Sequence, residues 1–257
     1  MLTLIDNRSG GIVASIKRSG FFALSSMFVP PRIDSAELLD MGVGTDEDVK
    51  ANFVDLWRIN RYLGGLQAIT RHLYPRLLAH VGTTTVVDIG TGSGDIGHVI
   101  ARWAQQHRID LKLWGVDLSA RNLVLTRSPS DTLFDTRVQA DALHLPFKVG
   151  SVDYFISSLF LHHLSPDKVK KLLAETFQSA NKGIIMSDLT RGRLPLIAFT
   201  ISQPIFARNF LTRHDGMASI RRAYTPDELL HLAQAAGLSN ARVYRHWGWR
   251  MTLVVEK

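Results

Sequence analysis

The sequence predicts an α/β protein with a doubly wound, mostly parallel β-sheet. Three observations support this prediction. Short β-branched runs alternate with helical stretches from residue 85 onward, several of these runs are apolar on both faces, and glycines directly follow the first run. Strands that are apolar on both faces are typical of parallel sheets covered by crossover helices. The length of 257 residues suits one large domain of this class with an added cap.

Two helices are predicted ahead of the first strand. Thr45 is a suitable N-cap for the first helix, because acids fill the next three positions and apolar residues then recur at three- and four-residue steps. A glycine pair ends this helix, and the second runs to about His80 with a bend near Pro75. We expect residues 1–82 to form an N-terminal segment and helical cap, and residues 83–257 to form the main domain.

The main domain is expected to alternate strands with helices. Each predicted strand is a short apolar run, and helical periodicity follows most of them. In chain order the predicted elements are strand Thr85–Ile89, helix Asp95–Gln106, strand Leu111–Val116, helix Ala120–Arg127, strand Thr136–Ala140, strand Val152–Ser157, helix Pro166–Ala180 and strand Gly183–Ser187.

The alternation stops after Asp188. We expect an insertion at about 190–224, made of an apolar helix-like stretch, Leu194–Phe210, and a loop at His214-Asp215-Gly216. A helix then begins after Thr225, with proline at its first position. The last two predicted elements are strands that form an antiparallel edge pair, Ala241–His246 and Met251–Val255.

The composition excludes several kinds of chemistry. The chain has no cysteine, which rules out disulfides, thiolate zinc sites and cysteine nucleophiles. This fits a reducing compartment, and we expect a cytoplasmic protein. The apolar run Leu194–Phe206 is too short to span a bilayer, so no membrane span is expected. Residues 7–33 superficially resemble an export signal, but prolines stand where small residues should mark cleavage.

A glycine-rich loop follows the first predicted strand. Glycines at this place let the backbone turn sharply and approach a ligand, and the next helix offers unpaired N–H groups. The spacing Gly92-x-Gly94-x-x-Gly97, with Asp117 twenty residues further on, matches the dinucleotide fingerprint and leaves a nicotinamide enzyme open. Asp88 argues against it, because a carboxylate before the loop would repel a pyrophosphate but attract the ammonium group of an amino-acid ligand.

The spacing Asp88-x-Gly90-x-Gly92-x-Gly94 resembles that of class I S-adenosylmethionine-dependent methyltransferases. Three further segments resemble the motifs of that family in the correct order: Trp114–Ser119 its second strand, Gln139–Phe147 its third, and Val152–Leu164 its fourth strand with the loop beside the sulfonium. The resemblance implies a Rossmann-like sheet and S-adenosyl-L-methionine as the cofactor.

The resemblance also implies roles for individual residues. Asp117 would accept hydrogen bonds from both ribose hydroxyls, Asp141 would take the adenine amino group, and Ser158 would contact the cofactor by position. The residues expected to bind the cofactor are Asp88, Gly90, Thr91, Gly92, Ser93, Gly94, Asp117, Leu118, Asp141, Ala142 and Ser158.

Several acceptor classes are disfavoured by the residues present. Pyrimidine C5 methylation needs a cysteine nucleophile. Methylation of nucleic-acid amino groups typically uses an Asn/Asp-Pro-Pro-aromatic loop, whereas this chain has Ser157-Ser158-Leu159-Phe160, and it has no adjacent glutamates of the kind used in protein arginine methylation. Metal-dependent catechol methylation needs converging acids, and only Asp188 follows the fourth and fifth strands, so no metal site is expected.

These exclusions favour a small hydrophobic acceptor, aromatic or quinone- or polyketide-like, methylated at oxygen or carbon. The loop 158–161, the apolar stretch 194–210 and the helix with Phe53, Trp57 and Leu63 would supply an apolar wall and lid. The pattern resembles the small-molecule branch with ubiquinone, menaquinone and natural-product methyltransferases. An RNA or other nucleic-acid methyltransferase and a non-catalytic cofactor-binding module stay open as alternatives.

Candidate catalytic and acceptor-binding residues lie outside the cofactor motifs. His214 and His162 are candidate general bases, because imidazole titrates near neutral pH. The Leu-His-His-Leu segment resembles a helix start that is common in this branch, which favours a structural role for His162. Residues 191–257 carry ten basic and four acidic side chains, so an arginine-rich rim could hold an anionic group of the acceptor. The expected substrate-binding residues are Leu159, His162, Arg191 and Arg222.

Overall fold

The computed structural model describes residues 29–125 and 136–257. Its centre is a seven-stranded sheet with the strand order β3-β2-β1-β4-β5-β7-β6. Strands β1 to β5 are parallel, and β7 pairs antiparallel with both β5 and β6. The strands are β1 (Thr84–Ile89), β2 (Leu111–Asp117), β3 (Thr136–Gln139), β4 (Val152–Ser158), β5 (Ala180–Leu189), β6 (Arg242–His246) and β7 (Arg250–Glu256). The predicted doubly wound, mostly parallel sheet with an antiparallel C-terminal edge is confirmed.

Eight α-helices are described. They are α1 (Asp46–Tyr62), α2 (Gly65–Leu78), α3 (Asp95–Gln106), α4 (Ala120–Val124), α5 (Pro166–Ser179), α6 (Arg193–Phe206), α7 (Phe210–Arg222) and α8 (Pro226–Ala235). A 3₁₀ turn, Leu161–His163, follows β4. The predicted caps are present, since Thr45 and Thr225 each form a capping box with the acid three residues on.

The two faces of the sheet carry separate hydrophobic cores. On one face, Val87 and Phe155 pack with Leu172 of α5 and Leu229 of α8. On the other face, β1 residue Val86 belongs to the core formed with α2 and α3. Neighbouring residues of β1 therefore point to opposite, fully covered faces, as expected for a parallel sheet between helical layers.

Parallel pairing brings the carboxyl ends of four strands to one edge of the sheet. Ile89 pairs with Val116 and with Ser157, and Ser158 pairs with Ser187. The polar residues that end these strands therefore meet at one edge, where ligands bind in open α/β sheets.

The insertion after β5 differs from its prediction. The apolar helix ends at Phe206, and His214, Asp215 and Gly216 lie inside α7 instead of a loop. Tertiary contacts explain the difference: the Asn209 side chain caps α7 by accepting from the Leu211 N–H, and Asp55 of α1 accepts from the backbone N–H groups of 208 and 209. The triplet His214-Asp215-Gly216 favours a turn locally, but these tertiary contacts stabilise it as part of a helix.

Three other predictions concern boundaries. The predicted helix Ala120–Arg127 ends at Val124, and its last two residues lie outside the described part of the chain. Most of the residues that resemble an export signal, up to residue 28, also lie outside it. Because α2 packs directly against β5 and β7, the cap and the sheet are in contact, and a domain boundary at residue 82 stays a prediction.

Two glycine turns pack backbone against backbone between the cap and the last hairpin. Gly64, between α1 and α2, and Gly248, between β6 and β7, both have positive φ, of 81° and 74°. A Cβ atom on Gly64 would lie closer than 3.0 Å to the Trp247 carbonyl oxygen, and one on Gly248 closer than 3.0 Å to the Leu63 carbonyl oxygen. This contact fixes the start of β7, including Arg250, against the cap.

In the described residues, no helix combines the length and the apolar character needed to cross a membrane.

We predict that Gly248→Ala lowers the free energy of unfolding by about 3 kcal/mol. The strain of an alanine at positive φ contributes roughly 1 kcal/mol of this loss, and overpacking against Leu63 contributes roughly 2 kcal/mol. Gly150→Ala is the matched control, because Gly150 also has positive φ but a Cβ atom there would meet nothing within 4 Å. The control should lose only about 1 kcal/mol. Urea denaturation measures both, and equal losses would contradict the close backbone contact.

Candidate active site

A cavity of about 620 Å³ lies at the carboxyl edge of the parallel strands. One side is formed by the glycine loop after β1 and by the ends of β2, β3 and β4. The other side is formed by α1, α6, α7 and residues 37–42. The volume lies within the range of about 300–1,000 Å³ that is usual for ligand sites.

The glycine loop is shaped by positive φ angles that favour glycine. Gly90, Gly92 and Gly94 have φ angles of 68°, 55° and 81°. A Cβ atom on Gly90 would lie closer than 3.0 Å to the Phe160 ring, so only glycine lets the loop pass under that ring. Gly94 ends the loop as the N-cap of α3.

Asp88 is buried beneath this loop and lines the cavity. Its carboxylate accepts a hydrogen bond of 2.8 Å from the Thr91 hydroxyl. Burial raises the pKa of Asp88 to about 7; the Thr91 hydrogen bond opposes this rise, and the charge of Asp117 adds to it. The carboxyl group is therefore a buried acid that a nearby ammonium group would ionise.

The two other predicted cofactor acids sit at the ends of the next strands. Asp117 accepts from the backbone N–H groups of Gly92 and Ser119, both at 2.9 Å, and so ties the glycine loop to β2. Asp141 accepts from the Leu143 N–H at 2.9 Å, and this bond together with His144 lowers its pKa. Each carboxylate keeps lone pairs for a ligand.

The end of β4 places two further predicted residues at the cavity. The hydroxyl of Ser158 is buried and has no hydrogen-bond partner among the described residues. Leu159 has a φ of 58°, a strained conformation for a branched side chain, which fits a functional site. Of the predicted cofactor residues, those that line the cavity are Asp88, Gly90, Thr91, Gly92, Ser93, Asp117, Leu118, Asp141, Ala142 and Ser158; Gly94 is not among them.

The opposite side of the cavity is mainly apolar. Phe53 and Trp57 of α1 line it, as predicted, together with Phe160 and Leu159 from the loop after β4. Phe199 is the residue of the stretch 194–210 that reaches the cavity, while Leu63 does not. The predicted apolar wall is therefore present, and the insertion contributes Phe199 and Ile220 to it.

A buried ionic cluster forms the floor of this apolar side. The Nδ1 of His162 lies 2.7 Å from the Asp188 carboxylate, and its Nε2 lies 3.4 Å from the Glu37 carboxylate. The backbone N–H of His162 also donates to Asp188, and the Ser219 hydroxyl donates to Glu37. All three ionisable side chains are at most 7% exposed.

The cluster sets the charge of its members. Burial alone would lower the pKa of His162, but Asp188 and Glu37 outweigh it and raise this pKa to about 9. Burial alone would raise the pKa of Glu37, but hydrogen bonding and charge from His162 lower it to about 2. At neutral pH His162 is thus a protonated donor with both ring nitrogens engaged, and this geometry gives no support to a general-base role.

The same cluster has atoms that could hold a cation. Glu37, His162 and His163 present ligand-type atoms within 4.8 Å of one another, an arrangement that the sequence patterns did not indicate. The Arg222 guanidinium lies 3.8 Å from the Glu37 carboxylate and opposes a further positive charge there. The expectation that the protein binds no metal stays a prediction.

The other predicted catalytic and acceptor-binding residues lie away from the cavity lining. His214 is half exposed and paired with Asp215 at 2.9 Å, and it is not among the lining residues. Arg191 donates to the carbonyls of Pro30 and Ala223 and pairs with Glu228. Arg222 donates to the His163 carbonyl. Neither Arg191 nor Arg222 lines the cavity, so this geometry gives no support to the expected arginine-rich rim at these two positions. The Nε and Nη1 atoms of Arg222 are buried without a hydrogen-bond partner among the described residues.

Sequence reasoning missed several charged residues that line the cavity, among them Glu37 and Arg250. Glu37 belongs to a set of acids at three-residue spacing, Asp34, Glu37 and Asp40, which was a usable signal. Arg250 lines the cavity, is 2% exposed, and donates from Nε to the Leu63 carbonyl at 3.4 Å. Burial lowers the pKa of Arg250 to about 10, which leaves it charged at neutral pH. Among the described residues no carboxylate lies within 4.0 Å of its guanidinium.

Comparisons with known proteins match the region that carries this site. Residues 86–183 match the family model described as a methyltransferase domain. This range contains the glycine loop and the three acids at the strand ends. No curated protein matches the chain.

Solved structures show the same fold. An S-adenosylmethionine-dependent methyltransferase from Aquifex aeolicus superposes with a TM-score of 0.54 and 15% identity, covering 83% of this chain and 99% of its own. One from Thermotoga maritima superposes with a TM-score of 0.53 and 19% identity, covering 81% of this chain and 94% of its own. Residues 86–183, which contain the glycine loop and the strand-end acids, are thus similar to a methyltransferase domain, and the chain shares its fold with these two enzymes.

Proposed function

We propose that the protein transfers a methyl group from S-adenosyl-L-methionine to an oxygen or carbon atom of a small, hydrophobic, aromatic or polyketide-like acceptor that bears an anionic group. The observation that carries this proposal is a single cavity that joins two unlike halves. The glycine loop and strand-end acids form one half, and aromatic side chains with one buried arginine form the other.

The first half fits the cofactor. We assign Asp88 to the ammonium group of its methionine part, Asp117 to the ribose hydroxyls and Asp141 to the adenine amino group. The buried hydroxyl of Ser158, which has no hydrogen-bond partner among the described residues, supports a ligand at this end of the strands. The bound cofactor supplies an electrophilic methyl group, and the protein's part is to align the acceptor and exclude water.

The second half fits an aromatic anion. Phe53, Trp57 and Phe199 offer apolar surface, and Arg250 offers a positive charge that no described carboxylate neutralises within 4.0 Å. Leaving a buried guanidinium unpaired is costly, so a carboxylate or phenolate on the acceptor would be bound strongly. We assign Arg250 this role in place of Arg191 and Arg222.

His162 is proposed as a positioning residue. As a protonated group between Asp188 and Glu37, it fixes the end of β4 and the loop after it, which carry Ser158 and Leu159, against the N-terminal segment. An acceptor that enters the site as a phenolate or enolate is already deprotonated, so the protein needs no general base. A positively charged residue near the acceptor favours this deprotonated form.

Methyl transfer tests the proposal directly. We expect the protein to move a labelled methyl group to members of a panel of phenols, quinols and polyketide acids, with S-adenosylhomocysteine as the second product. Asp117→Ala should remove most of this activity, because the ribose hydroxyls lose their acceptor. Transfer to RNA but to no small molecule, with strong salt dependence, would contradict the assignment.

Cofactor binding should depend on pH through Asp88. Below pH 7 the free carboxyl is mostly protonated, and the ammonium group of S-adenosylhomocysteine, an α-amino group, stays charged. Binding then requires loss of the Asp88 proton, so Kd should fall by up to about tenfold per pH unit from pH 5.5 and level off above 7. Isothermal titration calorimetry measures this.

Two variants sharpen the pH test. Asp88→Asn should bind weakly and without the pH dependence. Asp117→Asn should bind weakly at every pH but keep the dependence, with its midpoint moved to lower pH because the charge of Asp117 raises the pKa of Asp88. A pH dependence that survives in Asp88→Asn would remove the ammonium assignment.

Arg250 should decide between acidic and neutral acceptors. With S-adenosylhomocysteine bound, we expect the protein to bind hydroxybenzoates at least tenfold more tightly than the corresponding hydroxybenzamides. Arg250→Gln should abolish this preference and leave the Kd for S-adenosylhomocysteine within about twofold. Arg221→Gln, at an exposed arginine outside the cavity lining, is the matched control. Weaker cofactor binding with an unchanged acid preference would instead assign Arg250 to the cofactor's carboxylate.

A further inference from the structure

The outward face of α6 is apolar where a surface helix is normally polar. Its exposed aliphatic residues are Leu194, Ile197, Ile201 and Ile205, which are 61%, 55%, 73% and 60% exposed. Their spacings of three and four residues place them on one side of the helix. We call these four side chains the α6 stripe.

The stripe is not needed by the core. The inward face of α6 is already occupied by Pro195 and Phe199, which are buried, and by Leu196 and Phe206, which pack into the core with α7 and the end of β5. Phe210, at the start of α7, is also exposed, at 47%. A contiguous exposed apolar surface of this kind marks an interaction site.

The charges around the stripe indicate the partner. Between Asp188 and Asp215 the chain has no acidic residue and four arginines. Arg193 and Arg208 are both exposed, one at each end of the helix. An apolar stripe with an arginine at each end and no acid complements a partner that offers an apolar interior next to negatively charged groups. The interface of a bilayer with anionic lipids has this character.

A second copy of the chain fits less well. Two α6 helices paired in antiparallel orientation would bring Arg193 of one copy against Arg208 of the other, and parallel pairing would bring each arginine against itself. No acid on the segment could neutralise these contacts. The 14 residues of α6 span about 21 Å along the helix, too short to cross a membrane but long enough to lie along its surface.

We propose that the α6 stripe binds the surface of an anionic membrane, with the four aliphatic side chains inserted among the lipids and Arg193 and Arg208 at the headgroups. This orientation places Phe199, on the inward side of the same helix, between the bilayer and the cavity. The proposal is independent of the acceptor's identity, because it concerns the outer surface and not the site.

Vesicle binding of the full chain tests the proposal. We expect it to co-sediment with vesicles of phosphatidylglycerol and phosphatidylcholine in equal parts at 0.1 M salt, and more weakly with phosphatidylcholine alone. Ile197→Ser/Ile201→Ser should weaken binding to the anionic vesicles at least tenfold. Arg193→Gln/Arg208→Gln should reduce it to the level seen with neutral vesicles.

The matched control is Leu78→Ser/Val81→Ser. These residues are 59% and 94% exposed but precede β1, at the opposite edge of the sheet from α6. The control variant should bind vesicles as tightly as the unchanged protein does. In all variants, the thermal unfolding midpoint should stay within a few degrees of that of the unchanged protein, and the affinity for S-adenosylhomocysteine should be the same. No vesicle binding, equal binding by the Ile197→Ser/Ile201→Ser variant, or a dimer that this variant dissociates in sedimentation velocity would overturn the proposal.

Discussion

The ion pairs around His162 hold the acceptor half of the site together. Asp188 comes from the end of β5, His162 from the turn after β4, Glu37 from the N-terminal segment, and Ser219 and Arg222 from α7. Removing one partner would leave the others charged and buried, which is far more costly than losing a surface salt bridge. Four separate stretches of chain therefore depend on one cluster for their relative positions.

The sheet and the half of the cavity proposed to bind the cofactor could be predicted from sequence, because local sequence patterns determine them. Strand runs, glycines with positive φ and acids at strand ends all act within a few residues of sequence. The capping boxes at Thr45 and Thr225 were readable for the same reason. Ten of the eleven predicted cofactor residues line the cavity, and Gly94 differs because its role is to begin α3.

The acceptor half could not be predicted in the same way, because long-range contacts decide it. Arginines at 191 and 222 looked available in sequence, but their partners are carbonyls and carboxylates far along the chain. The triplet His214-Asp215-Gly216 predicts a loop from sequence. In the structure it is helical, and the Asp215 carboxylate accepts hydrogen bonds from the backbone N–H groups of residues 38 and 39. The number of charges follows from composition, whereas only the fold shows that, of the buried arginines, Arg250 lines the cavity.

The close packing of Gly64 on Trp247 and of Gly248 on Leu63 links the cap to the last hairpin. Arg250 lies two residues beyond Gly248, and its Nε hydrogen bond ends on Leu63, next to Gly64. A shortened chain that began at β1 would keep the cofactor acids but lose the backbone that holds this arginine. The proposed role of Arg250 in acceptor choice is thereby tied to the cap, so we expect exchange of the cap between related chains to change selectivity without any change in the sheet.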